Sequence, residues 1–280
     1  MTLEEFRAVF AEAGLSELFD EMQQYAKNSI VIEVQHEVNQ QVLGASRFGG
    51  EPDLPPEIEW FSNPETGSPL NFIAQFNCAE LSVFDKDNKL PKQGMLYFFY
   101  DVEAFLWGFD ARDSIGSRVY FYDGVMERLE PRLCPAGIRR FPVSGLLFAN
   151  RVELPEYTSQ LIQTKLSDEE YGRYLDLIEE LDLEIDNKLL GHSNNIQKGM
   201  ELQCELVHHG IYCGSSAAVQ NHQVPEFTAG ATAWELLFQM GSDDDNDVHW
   251  AEDGRLYFWI RSEDLIARRF ERAWQILQSY

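Results

Sequence analysis

Apolar residues open the chain at helical spacing. Leu3, Phe6, Phe10 and Ala13 recur behind Thr2 and Glu5, which form a capping box, and Gly14 closes the helix. Leu15, Leu18, Phe19, Met22 and Tyr25 share the face of a second short helix, so residues 1–27 read as a helical segment. The period then falls to two in SIVIEVQHEV, the signature of a strand. Residues 39–61 are irregular, and Pro52, Pro55 and Pro56 cannot donate to a sheet ladder, which makes this stretch a loop or an edge. LNFIAQF, QGMLYFFYDVE, FLWGFD and SRVYFYDG follow between residues 70 and 122, separated by Asp, Asn, Gly and Pro clusters, a spacing that favours antiparallel sheet. GIRRFPV and GLLFANRVEL add two strand candidates.

The clearest helix begins after Ser167, which forms a capping box with Glu170; Tyr171, Tyr174, Leu175, Ile178 and Leu181 make its apolar stripe. Residues 189–230 mix turn chemistry with short helical periods and yield no firm element. TAWELLFQM and GRLYFWI restore strand periodicity. The pattern then predicts a C-terminal helix over 262–280, N-capped by Ser262, with Glu263 and Asp264 at its positive end and Ile266, Phe270, Ala273, Trp274 and Leu277 facing inward.

Two strand pairs repeat. LNFIAQF precedes GMLYFFY as WELLFQM precedes GRLYFWI, which aligns Gln75 with Gln239, Gly94 with Gly254, Leu96 with Leu256, Tyr97 with Tyr257 and Phe98 with Phe258. Upstream, Gly49 and Gly50 answer Leu190 and Gly191 weakly. The expected fold class is therefore α+β: mostly antiparallel sheets from two pseudo-symmetric repeat modules, at about 46–150 and 187–261, within one domain spanning 1–280, with N-terminal, central and C-terminal helices. A repeat found twice excludes a solenoid, which needs three units to close a core.

The order FGGEPDLP, Trp60, GSPLNFIAQFN and LPKQGMLYFFY, then LLGHSNNIQ, LLFQMGSD and Trp250 with DGRLYFWI, resembles the YwqG-like family of uncharacterised bacterial proteins, from about Ser46 to Trp274. The resemblance implies an α+β fold around antiparallel sheets, a bacterial cytosolic setting and no catalytic residues to carry over. His192 stands where a second glycine is expected after Gly191.

Charge adds a constraint on partners. With 22 Lys plus Arg against 47 Asp plus Glu, the net charge is -25, which opposes binding to nucleic acid or to an anionic membrane and attracts a basic protein instead. Nine acidic residues lie between Asp168 and Asp186 against one Arg, and a second concentration runs from Asp243 to Asp253. No stretch of 18 apolar residues occurs, the N-terminus lacks the pattern of a signal peptide, and Cys78, Cys134, Cys204 and Cys213 are too sparse for a disulfide framework, so a cytoplasmic setting is expected.

Candidate chemistry is thin. Buried glutamines must be satisfied, so Gln75 and Gln239 either bond backbone or, with Tyr97 and Tyr257, line a ligand cleft between the halves. Gly49 and Gly50 lack the context of a phosphate loop. Cys204, His208, His209, Cys213 and His222 match no zinc spacing, and Cys213 before Gly214 and Ser215 shows no activating partner. Asp243, Asp245 and Asp247 alternate like the first ligands of a calcium loop, but Val248 and Gly254 stand where its glycine and glutamate belong. No cofactor is implied. The sequence thus favours a non-catalytic module whose acidic surface binds a basic protein, in one version an immunity-like inhibitor of a basic toxin. The alternative is a small-molecule-binding protein or enzyme using the cleft. The oligomeric state is open.

Overall fold

The computed structural model describes residues 1–36, 42–181, 185–215 and 225–280; Asp182, Glu184 and His222 lie outside the described residues. Twelve strands occur among them: β1 (Lys27–Gln35), β2 (Arg47–Phe48), β3 (Asp53–Leu54), β4 (Asn71–Asn77), β5 (Met95–Tyr100), β6 (Ser117–Tyr122), β7 (Glu130–Pro131), β8 (Ser144–Glu153), β9 (Lys188–Leu190), β10 (Trp234–Gly241), β11 (Arg255–Arg261) and β12 (Trp274–Gln278). Ten of them form one sheet in the order β12-β11-β10-β9-β1-β8-β2-β4-β5-β6, and β3 with β7 makes a separate ribbon. Every pairing is antiparallel.

The sheet curls until its two edges approach, as a barrel that does not quite close. Phe121 on β6 packs on Phe270 just before β12, with ring centroids 5.3 Å apart, and Leu277 N on β12 donates to the Trp107 carbonyl at 3.3 Å. Period-two alternation explains what fills it. Leu96, Phe98 and Tyr100 point inward with Leu256, Phe258 and Ile260, whereas Met95, Tyr97 and Phe99 point outward with Tyr257 and Trp259. Both faces are covered, so these strands read as unbroken apolar runs. Phe76, Phe98, Phe238 and Phe258 meet in the interior, with neighbouring centroids 4.8 to 6.1 Å apart.

Outside the barrel, helices Leu3–Glu12, Ser16–Met22 and Asp168–Glu180 share a second core through Phe6, Phe10, Phe19 and Tyr174. The expected capping boxes at Thr2/Glu5 and Ser167/Glu170 are both formed. Helices Glu201–His208 and Pro225–Ala231 cover the outer face near β10 to β12. No described helix is long and apolar enough to cross a membrane.

Three expectations are corrected. The C-terminal helix stops at Ile266, which is 83% exposed rather than inward-facing; Arg268 takes a left-handed conformation at φ 58°, and Trp274–Gln278 becomes β12. WQILQ satisfies either period, and the open edge of β11 decides between them. FLWGFD is a strap, not a strand: Phe105 and Gly108 adopt positive φ, and a Cβ on Gly108 would stand 2.1 Å from the Gln275 carbonyl, so only glycine lets the strap close on β12. GIRRFPV is also irregular, with the Phe141 carbonyl accepting from Gly50 N at 2.9 Å.

Candidate functional site

The duplicated Gln and Tyr residues fall into two separate pairs. Gln75 and Tyr97 face each other across β4 and β5, Gln239 and Tyr257 across β10 and β11, and all four are fully buried. Each pair grips one residue of another segment, Asp53 at the start of β3 or Asn194 in the loop after β9. Asp53 N donates to Gln75 Oε1 at 2.9 Å while the Tyr97 hydroxyl donates to the Asp53 carbonyl; Asn194 N donates to Gln239 Oε1 at 2.9 Å while the Tyr257 hydroxyl donates to the Asn194 carbonyl at 2.7 Å. Gln75 Nε2 reaches the Ala45 carbonyl and Asp53 Oδ2, each at 2.8 Å, and Gln239 Nε2 reaches the Ile185 carbonyl at 2.5 Å. The two pairs thus hold different segments, one at Asp53 and the other at Asn194. The residues where β2 and β9 end also match in backbone: Gly49 and Gly50 have φ of 57° and 73°, Leu190 and Gly191 of 61° and 79°.

Charged groups are buried close to these pairs. Arg47 Nη1 meets Asp53 Oδ2 at 2.7 Å with almost no exposure of either side chain. At the centre of the sheet, Lys188 Nζ lies 3.0 and 3.1 Å from the two Glu153 oxygens, which also accept from Ser29 Oγ at 2.9 Å and His192 N at 3.0 Å.

His192 leads from that cluster into a cavity of ≈ 420 Å³ on the outside of the barrel. The residues before β1, the helix Gln160–Lys165, the helices at 201–208 and 225–231, and the start of β10 enclose it. Its apolar wall includes Tyr25, Leu161, Ala231 and Trp234, and its ionisable groups are Lys27, His192, Glu201 and Lys165. A cavity of this size holds a small organic molecule. Burial pulls the Lys27 ammonium below its ordinary range, against the opposing pull of Glu201, Glu153 and Asp87. Burial pushes the Glu201 carboxyl up, and Glu201 Oε2 is buried with no hydrogen-bond partner among the described residues. His192 is held well below the usual imidazole range, by burial first and by Lys27 second. Its Nε2 lies 2.8 Å from the Tyr25 carbonyl, which can only accept, so the neutral ring carries its proton there and leaves Nδ1 as an acceptor. Perturbed groups converging on a concave apolar wall mark a candidate site.

Sequence reasoning missed this cavity, because its walls come from five segments with no shared motif. The one available signal was His192, a histidine in a position where glycine is expected.

The other candidates separate. Asp243 and Asp245 come near His36, whose Nε2 is 3.8 and 4.0 Å from their carboxylates, but Asp247 turns away to Arg139 at 2.7 Å. Asp243 also caps its own turn, accepting from Asp245 N and Asn246 N. Cys204 and Cys213 are buried; burial raises the Cys204 thiol well above its usual value and the Cys213 thiol to about 11, so neither is activated as a thiolate. His208 and His209 are exposed, and His209 Nε2 contacts Glu205 at 3.1 Å.

The order of the short motifs agrees with a comparison across protein families. A model described as a domain of unknown function, DUF1963, matches residues 46–279. The chain belongs to this family. It is the YwqG-like family that the sequence resembles, and the match includes every strand of the large sheet except β1. Within the cavity, His192, Glu201 and Trp234 thus belong to the DUF1963 domain, whereas Tyr25 and Lys27 are contributed by the segment before it. No curated protein matches the chain.

Proposed function

We propose that this DUF1963 protein binds a small, mostly apolar molecule in the cavity between its N-terminal segment and the outer helices. The observation that carries the reading is the combination of ≈ 420 Å³ of apolar-walled space with Glu201 Oε2, which is buried and has no hydrogen-bond partner among the described residues. An unpaired buried polar group costs about 1–3 kcal/mol, a cost that a ligand offsets. The test is titration with N-phenyl-1-naphthylamine, read by its fluorescence and by quenching of Trp234. Thr228→Trp, which fills the cavity from its wall, is expected to weaken binding at least about tenfold, equivalent to about 1.4 kcal/mol. Equal affinity in parent and variant would overturn the assignment.

A second reading keeps the acidic surface as a docking face for a basic protein, including an immunity-like role. Its support is that Asp168, Glu169, Glu170, Asp176, Glu179 and Glu180 are exposed, while Arg173 on the same helix is spent on the Ala13 and Gly14 carbonyls. A basic partner retained at about 50 mM salt and released at about 500 mM salt is the expected behaviour; retention indifferent to salt counts against it.

We also read the sheet halves as a duplicated unit. The matched Gln–Tyr grips, the consecutive positive-φ residues where β2 and β9 end, and register shifts at Phe72/Ala74 and Leu236/Phe238 support this. Tyr97→Phe and Tyr257→Phe are then expected to destabilise by similar amounts, about 1 kcal/mol each.

A further inference from the structure

We propose that Lys27 Nζ is a nucleophilic amine that condenses with the carbonyl group of an aldehyde or ketone held in this cavity. The inference rests on the ligand-binding reading above and adds the chemical class of the ligand. Three observations lead to it. Lys27 lines the apolar cavity with no hydrogen bond or ion-pair contact among the described residues, whereas Lys188 is bonded to Glu153 and Lys89 to Glu235. Lys27 is therefore not held as a structural cation. Glu153 and Asp87 bear on Lys27 electrostatically, which disfavours an anionic ligand and selects a neutral one. The third observation is a proton donor lining the same cavity, Glu201 with its unpartnered Oε2, beside the neutral His192, whose Nδ1 is left with a lone pair to accept a hydrogen bond.

The chemistry follows from these groups. A desolvated lysine keeps a larger share of free amine at neutral pH, the form that attacks carbonyl carbon. Nζ forms a bond to that carbon, the π pair moves to oxygen, oxygen takes a proton and nitrogen loses one, giving a carbinolamine. The C–O bond then breaks, the hydroxyl leaves as water after a second proton is delivered, and the C=N bond forms. No oxidant or reductant is needed, and hydrolysis reverses the sequence. Glu201, whose carboxyl is pushed toward its protonated form, supplies the proton to the leaving hydroxyl, and the proton shed by nitrogen in the first step is the one that oxygen takes.

Incubation of the full chain with 2-naphthaldehyde and sodium cyanoborohydride at neutral pH, followed by peptide mass mapping, tests the proposal. The reduced adduct is expected on Lys27 at a rate at least about tenfold above the exposed Lys86, reflecting its larger free-amine fraction. Lys27→Arg removes that adduct. If Lys27→Arg fails to fold, Glu201→Gln is expected to slow labelling of Lys27 while leaving Lys86 unchanged. Binding of N-phenyl-1-naphthylamine to the parent separates the two readings. If the naphthylamine binds but Lys27 reacts no faster than Lys86, the amine proposal is overturned and the cavity assignment stands. If the naphthylamine does not bind, both fall.

Discussion

Replacing Lys188 by Met tests whether the ion pair at the centre of the sheet is a structural requirement. Lys188 is on β9, its partner Glu153 ends β8, and Ser29 on β1 donates to the same carboxylate, so one cluster ties three adjacent strands. Lys188 is 1% and Glu153 8% exposed. Lys188→Met leaves Ser29 Oγ and His192 N on the carboxylate but removes its counter-charge in a largely buried site. Breaking a buried pair from one side costs about 3–5 kcal/mol, and Glu153→Gln, which strands the ammonium, falls in the same range. Neutralising both sides removes the stranded charge. The double variant Lys188→Met/Glu153→Gln is therefore expected to be no less stable than either single one, a coupling of about 3 kcal/mol or more. Urea denaturation at neutral pH measures all four corners of the cycle, and each single variant is expected to melt roughly 6–15 °C lower. Loss of less than about 1 kcal/mol in Lys188→Met, or additive losses in the double variant, refutes the reasoning.

Further expectations concern neighbouring features. His192 is held neutral in the native state, so below its ordinary pKa of about 6.5 the unfolded chain takes a proton that the native chain refuses; stability present above that pH is lost as pH falls, by up to about 1.4 kcal/mol per pH unit. His192→Gln is expected to flatten that slope in denaturation curves between about pH 6.5 and 5, and an unchanged slope counts against a buried neutral imidazole. Gly191→Ala places a Cβ at φ 79°, 2.4 Å from Glu153 Oε2 and 2.6 Å from Ser29 Cβ, and is expected to cost about 2 kcal/mol or more by the same assay. A neutral Gly191→Ala would mean that the turn relaxes freely. Calcium at about 1 mM is expected to leave the melting temperature unchanged, because Asp247 is committed to Arg139 and Asp243 to its own turn; a rise would establish a cation site there.

Much of the local structure was legible because it is encoded locally. Capping boxes need residues three apart, and Thr2/Glu5 and Ser167/Glu170 formed as expected. The strands LNFIAQF, MLYFFY, WELLFQM and RLYFWI were recognisable by apolar runs long enough to be covered on both faces. Elements whose sequence suits two states were not. Residues 274–278 follow a helical stripe as well as a strand, and pairing with β11 settles their state. Lys188–Leu190 is only three residues long, too short for any period, yet it joins β1 to β10.

The candidate site divides along the same line. That Gln75 and Gln239 must be satisfied follows from the cost of an unpaired buried amide, and repetition of their surroundings marks them in the sequence. Which groups satisfy them depends on segments 22 and 45 residues away along the chain, at Asp53 and Asn194. The same holds for the acidic excess: the count fixes a chain charge of -25, but only the fold exposes the carboxylates of the helix Asp168–Glu180 while burying Glu153 against Lys188. By itself the sequence determined the family, the antiparallel class and the local helix starts, because each depends on residues a few positions apart. The tertiary structure alone decided the near-closure of the sheet, the final strand and the cavity with Lys27, His192 and Glu201. Those depend on burial and electrostatics among segments up to about 200 residues apart, where no local pattern reaches.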